Sequence, residues 1–213
     1  MFKKLFIATA CILSTICYGD LQDDIDRATI IIREFKEMPE TSIPRSVLQN
    51  AKGLGVITMI KGGFIFSGRI GSGLVVAKLE KGWSAPSAIG VAGAGFGLQV
   101  GAEVTDFVIV LNTQNAVDAF SRGGNVTLGA NLSVAAGPVG RTAEGAVMPL
   151  AAIYSYSRSQ GLFAGVSLEG TIIGERSGAN KRFYKKSVSA ADLLSGKIPS
   201  PESAKPLYKV LSE

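Results

Sequence analysis

Between residues 176 and 186 stand five cations, Arg176, Lys181, Arg182, Lys185 and Lys186, with Phe183 and Tyr184 among them and no acid. Ammonium and guanidinium groups at this density recognise anions such as phosphate headgroups. Each basic residue near an anionic bilayer is worth about 1 kcal/mol, so five supply up to about 5 kcal/mol, which alone gives only millimolar-to-submillimolar binding. A stable dock needs something more: an inserted aromatic ring, an apolar helix face or a headgroup pocket. The same run also suits a solvated connection between two elements. Lys61 and Arg141 lie upstream in glycine-rich text and complete the candidate lipid-binding set of Lys181, Arg182, Lys185, Lys186, Arg141 and Lys61.

Catalytic chemistry finds little support. The chain has no His, and both cysteines, Cys11 and Cys17, lie near its start. Neither Gly-x-Ser-x-Gly nor Ser-x-x-Lys occurs; Gly165-Val166-Ser167-Leu168-Glu169 fails at its last position. Glu103 and Asp106, joined by Glu144 in one cleft, could do acid–base work, but turn capping and solvation are commoner fates of such carboxylates. A metal would need an oxygen cluster, and no Asp-rich loop is present. The run Gly90-Val91-Ala92-Gly93-Ala94-Gly95-Phe96-Gly97 lacks the helix that must follow a dinucleotide loop, since Leu98 to Val100 and Phe107 to Leu111 read as strand. No catalysis, cofactor or metal is expected.

The elements that must position the cations fall into three blocks. Leu21, Ile25, Ala28, Ile32 and Phe35 recur at spacings of three and four and predict an amphipathic helix, with Asp20, Asp23 and Asp24 suited to its N-terminus. A short helix is expected from near Pro44 to Gly53. Nineteen of the 26 glycines then lie between Gly53 and Gly145, interleaved with Val, Ile and Phe, which indicates closely packed β-structure rather than a linker. Short strands are expected at 56–60, 63–67, 73–79, 88–92, 97–100, 107–111, 125–135, 147–157 and 162–173, with hairpin turns at Lys61-Gly62-Gly63 and Glu80-Lys81-Gly82. A helical turn or two at 115–122 would face Ala116, Val117 and Phe120 inward. Helical text returns at Ser189 to Leu194, with Ser189 as cap, and at Pro201 to Leu211. The expected fold is α+β, a curved antiparallel β-sheet or small barrel-like core flanked by N- and C-terminal helices.

Met1-Phe2-Lys3-Lys4 followed by an apolar run from Leu5 to Cys17 reads as a secretory signal, too short to span a membrane, with cleavage expected after Gly19. Ile16 before Cys17 argues against a lipoprotein box. Residues 20–213 are then expected to form a single exported domain, periplasmic or secreted, peripheral to a membrane. Of the 22 basic and 17 acidic residues of the chain, removal of Lys3 and Lys4 leaves an excess of 20 − 17 = +3, too small to suggest nucleic acid. The charge is unevenly placed, for Asp20 to Glu40 holds seven acids, which points to one face prepared for an anionic partner.

Taken in order, Ala51-Lys52-Gly53, Gly82-Trp83-Ser84-Ala85-Pro86, Gly97-Leu98-Gln99-Val100-Gly101, the segment from Glu103 to Leu111, Gly137-Pro138-Val139-Gly140-Arg141 and Arg182-Phe183-Tyr184 resemble the SYLF domain family over about residues 43–184. The resemblance implies binding to anionic phospholipids, phosphoinositides in eukaryotic relatives, with actin association in some fungal ones, and no catalysis. The apparent export signal and the lack of an appended peptide-binding or zinc-finger domain resemble stand-alone bacterial members. For these, envelope phospholipid is the expected ligand in place of phosphoinositide, and actin is not an expected partner. The rival reading is a structural or protein-binding envelope module.

Overall fold

The computed structural model describes residues 19–38, 42–122, 134–136 and 151–213. The expected leader, residue 19 apart, lies outside them, as do Arg141, Glu144 and most of the strand expected at 125–135.

Helix α1 is Leu21–Glu37. A capping box sets its start: the Asp20 carboxylate accepts from Leu21 N–H at 2.7 Å, and that of Asp23 accepts from Asp20 N–H at 3.2 Å. The apolar residues expected on one face, Leu21, Ile25, Ala28, Ile32 and Phe35, are all buried. Helix α2, Arg45–Asn50, follows Pro44. Strand β1 then runs over Gly53–Leu79, β2 is Gly82–Trp83 and β3 is Ser87–Leu111. Helix α3, Gln114–Ser121, is capped by Thr113 Oγ1, which accepts from Ala116 N–H at 3.2 Å; Ala116, Val117 and Phe120 are buried as the sequence suggests. After β4, Val134–Ala136, and β5, Ile153–Glu175, come α4, Ser177–Tyr184, α5, Ala190–Leu194, a 3₁₀ turn at Glu202–Ala204 and α6, Lys205–Ser212.

The sheet order is β2-β1-β3-β5-β4, antiparallel except for the parallel β4–β5 pair. The expected α+β class and flanking helices hold. Among the described residues the short strands expected at 56–79, 88–111 and 153–173 do not stay separate but merge into β1, β3 and β5. Lys61-Gly62-Gly63, expected as a hairpin turn, lies inside β1, paired with Glu103, Ala102 and Gly101. Glu80 and Lys81 do form the turn before β2.

The turn expected near Gly63 has its counterpart in a bend. The β1–β3 register shifts between Phe64 and Phe66, and there β1 folds back so that its second half faces its first. Lys78 N–H donates to Lys52 O at 2.8 Å. A Cβ on Gly73 would overlap Val56 O, and one on Gly71 would stand 2.5 Å from Thr58 O, so backbone meets backbone where a side chain cannot fit. β3 stays paired with β1 on both sides of the bend, and β5 with β3 throughout. Between the halves sit Ile57, Met59, Val75, Ala77, Ile89, Val91, Ile109, Leu111, Ile153 and Ile173, closed off by Phe120 of α3 and Leu194 of α5. Leu54, Val56, Leu74, Val76, Val108, Val110, Tyr154 and Tyr156 face outward and are covered by α1, α2 and α6. The period-2 pattern of a strand thus fills two cores at once.

Candidate functional site

Helix α4 carries the basic run. Ala179 and Asn180 are buried and Phe183 and Tyr184 half-buried, whereas Lys181, Arg182, Lys185 and Lys186 are exposed. The inward side is fixed firmly. Asn180 donates to Ser87 Oγ at 3.2 Å and to Glu175 Oε1 at 3.0 Å, and its Oδ1 accepts from Ala88 N–H at 2.8 Å. Tyr184 Oη donates to Pro86 O at 2.6 Å, and its ring meets Phe183 edge-on with centroids 4.9 Å apart. Burial raises the Tyr184 phenol far above its ordinary range, with Tyr208 adding to the effect, so it stays a donor. The motifs Trp83-Ser84-Ala85-Pro86 and Arg182-Phe183-Tyr184 are therefore two sides of one contact. Tyr208 and Ser200 reinforce it by donating to Ser84 O and Trp83 O at 3.0 and 3.1 Å.

The outward side is a patch of four cations. Among the described residues none of the four forms an ion pair or a side-chain hydrogen bond. Lys181 and Arg182 occupy the last turn, where the helix dipole favours positive charge. Lys185 ends the helix at φ 57°, a left-handed residue that turns Lys186 away from the helix axis.

Arg176, the first cation of the run, has a different task. Its guanidinium reaches Asp24 Oδ2 at 2.8 Å and Gly19 O at 2.5 Å. Asp24, fully buried, also accepts from Ser72 Oγ at 2.8 Å and lies 3.7 Å from Arg27. Burial lifts its pKa to about 6 against the lowering effects of Ser72, Arg176 and Arg27. This network ties α1, β1 and the start of α4 together. A second tie joins Arg158 to Glu34 at 2.6 Å and Asp106 at 3.1 Å, with Thr58 Oγ1 donating to Asp106 at 2.7 Å. Asp106, considered above for acid–base work, is thereby held by a guanidinium and a hydroxyl.

Lys61 does not join the α4 patch. It pairs across the sheet with Glu103 close to the bend, and burial, followed by the charge of Arg69, holds its ammonium below the usual range, with Glu103 opposing. The α4 helix follows Glu175, which lies opposite Ile89, about four residues farther from the bend, on the order of 13 Å along the strands. A cleft of about 580 Å³ between α1, α2 and α6 contains Arg33, Lys36, Arg45 and Lys78 beside Glu37 and Glu213. Two of these cations are engaged: Lys36 Nζ donates to Val210 O at 2.5 Å, and Lys78 Nζ stands 5.1 Å over the Trp83 ring. The α4 patch is the more available cationic surface. Sequence reasoning missed that it is helical; the signal was present in Ala179-Asn180 and Phe183-Tyr184, inward pairs four residues apart.

The family profile described as "Ysc84: Las17-binding protein actin regulator" matches residues 92–213. An SH3 domain-containing protein of Schizosaccharomyces pombe is 50% identical over 204 residues, covering 91% of this chain and 47% of its own. The human SH3 domain-containing YSC84-like protein 1 is 49% identical over 201 residues, covering 91% and 59%. LAS seventeen-binding protein 3 of Saccharomyces cerevisiae is 56% identical over 174 residues, covering 79% and 38%. The chain spans about half the length of these relatives.

Proposed function

The chain belongs to the Ysc84 family, the SYLF family of the sequence resemblance, and on that footing we propose that it is a non-catalytic binding module that docks on anionic phospholipid through the outward cations of α4. The observation that carries this reading is the patch itself. Lys181 and Arg182 of α4, and Lys185 and Lys186 just after it, are exposed, while the opposite side of the helix is locked to the β3 start by Asn180 and to Pro86 by Tyr184. These four exposed cations stand together beside a helix that is firmly seated on the sheet. With each worth about 1 kcal/mol near an anionic surface, they give an association that salt weakens strongly. The leader-like start at residues 1–19 supports export, which would put the patch against the lipids of a cell envelope.

Co-sedimentation of the full chain with vesicles tests the proposal. Binding to phosphatidylglycerol-containing vesicles that falls between 50 and 500 mM salt, with little binding to phosphatidylcholine alone, is the expected result. Equal binding to both, or none, contradicts it.

A second reading, docking on protein, draws support from the family's description as Las17-binding actin regulators and from the SH3 domains named in its relatives. A salt-insensitive partner captured by a chain that ignores vesicles would favour it.

A further inference from the structure

The cleft between α1, α2 and α6, about 580 Å³, is of the size that holds small molecules. Its lining is divided by chemistry. Ile43, Leu48, Trp83 and Leu211, all buried, supply apolar surface. Arg33 and Lys36 from α1, Arg45 from α2 and Lys78 from β1 bring four positive charges, against the carboxylates of Glu37 and Glu213. Lys36 is the telling residue. Its half-buried ammonium donates to Val210 O at 2.5 Å, which uses one of its three N–H groups. Burial lowers its pKa, with Glu213 opposing and Arg45 adding to the effect. Two cations from different helices thus repel each other in a partly desolvated place, an arrangement that costs energy until an anion joins it. Arg33 and Arg45 are exposed, and neither forms an ion pair or hydrogen bond with a described residue, so their forked donors are available to an oxyanion. Lys78 Nζ lies 5.1 Å over the Trp83 ring, where charge and apolar surface meet.

We propose that this cleft binds a small anionic amphiphile, a single apolar chain ending in a carboxylate or phosphate, with the oxyanion among Arg33, Lys36 and Arg45 and the chain against Trp83, Ile43 and Leu48. The lining selects the occupant from both sides. A purely apolar ligand would leave the repulsion between Lys36 and Arg45 unrelieved. An inorganic anion would relieve it and leave the apolar surface in water. A ligand that carries both properties in one molecule satisfies the two halves at once, and a cavity of this volume admits a small molecule rather than a folded domain. No described residue of α4 lines the cleft, so the proposal stands apart from the phospholipid reading of the α4 patch.

Trp83, the single tryptophan, lines the cleft and reports its occupancy in the full, unaltered chain. Added below its micellar concentration, ω-bromoundecanoate should quench the Trp83 emission saturably by at least half, and undecyl phosphate should restore the emission by competition. The uncharged ω-bromoundecanol, of the same length, should bind at least tenfold more weakly. Arg33→Gln/Arg45→Gln alters two exposed side chains, should keep the native circular dichroism, and should weaken ω-bromoundecanoate at least tenfold. Charge reversal of Lys181, Arg182, Lys185 and Lys186 should leave that affinity unchanged. Absent or unsaturable quenching overturns the proposal and leaves the cleft to a peptide segment or a second chain. Equal affinity for the alcohol and the acid, or a double variant that binds like the wild type, overturns the role of the cations. Loss of probe binding in the α4 variant overturns the placement in the cleft. None of these results depends on vesicle co-sedimentation, so failure here and failure of the phospholipid reading are told apart.

Discussion

Asp24 shows what single residues contribute here. It stands fully buried between Arg176, Ser72 and Arg27, with its pKa lifted from 3.8 to about 6 chiefly by burial. Below about pH 4 the carboxyl is protonated in folded and unfolded chains alike. Between about pH 4 and 6 the folded state keeps a proton that the unfolded chain has released, so stability falls as pH rises through that window, by about 3 kcal/mol in total. Asp24→Asn should abolish this slope, as read by urea unfolding at pH 4, 5, 6 and 7. An unchanged slope would place the titrating group elsewhere. Lys185 offers a second test. It holds φ 57° without being glycine, so Lys185→Gly should stabilise the fold by roughly 0.5 kcal/mol, strain relief exceeding the added chain entropy. The basic cluster was legible from sequence because charge is visible in composition. Its division into four outward cations and one inward Arg176 was not, since the partner that claims Arg176 lies on α1, more than half the chain away.

At the scale of elements, the helices other than α4 are legible in the sequence, and the strands only as fragments. Helix α1 has its period of three and four and its acidic cap in the sequence, and Ser189 and Thr113 cap their helices through local contacts. The strands were cut at each Gly pair because glycine ordinarily ends a strand. Here Gly71 and Gly73 permit two halves of one strand to touch, a contact that has no local signature. Gly73→Ala should therefore cost at least about 2 kcal/mol, because the added methyl overlaps Val56 O in a backbone that cannot yield cheaply. Gly68→Ala, with open space around its Cβ, should be neutral or slightly stabilising. Thermal unfolding of the pair separates glycine as close contact from glycine as mere strand content.

Over the whole molecule, the folded-back sheet sets cationic α4 near one end and the exposed Phe64–Phe66 bend at the other, with α1 tied by ion pairs to Arg176 at the start of α4 and, through Glu34, to the Arg158–Asp106 row of the sheet. The proposed attraction to anionic lipid rests on the four exposed cations on and just after α4. Charge reversal of Lys181, Arg182, Lys185 and Lys186 together to Glu, with residues 1–19 left unchanged, tests it by vesicle co-sedimentation at 100 mM salt. At least a tenfold loss of affinity for phosphatidylglycerol vesicles and a flattened salt dependence are expected. Binding equal to the wild type at every salt concentration would contradict it.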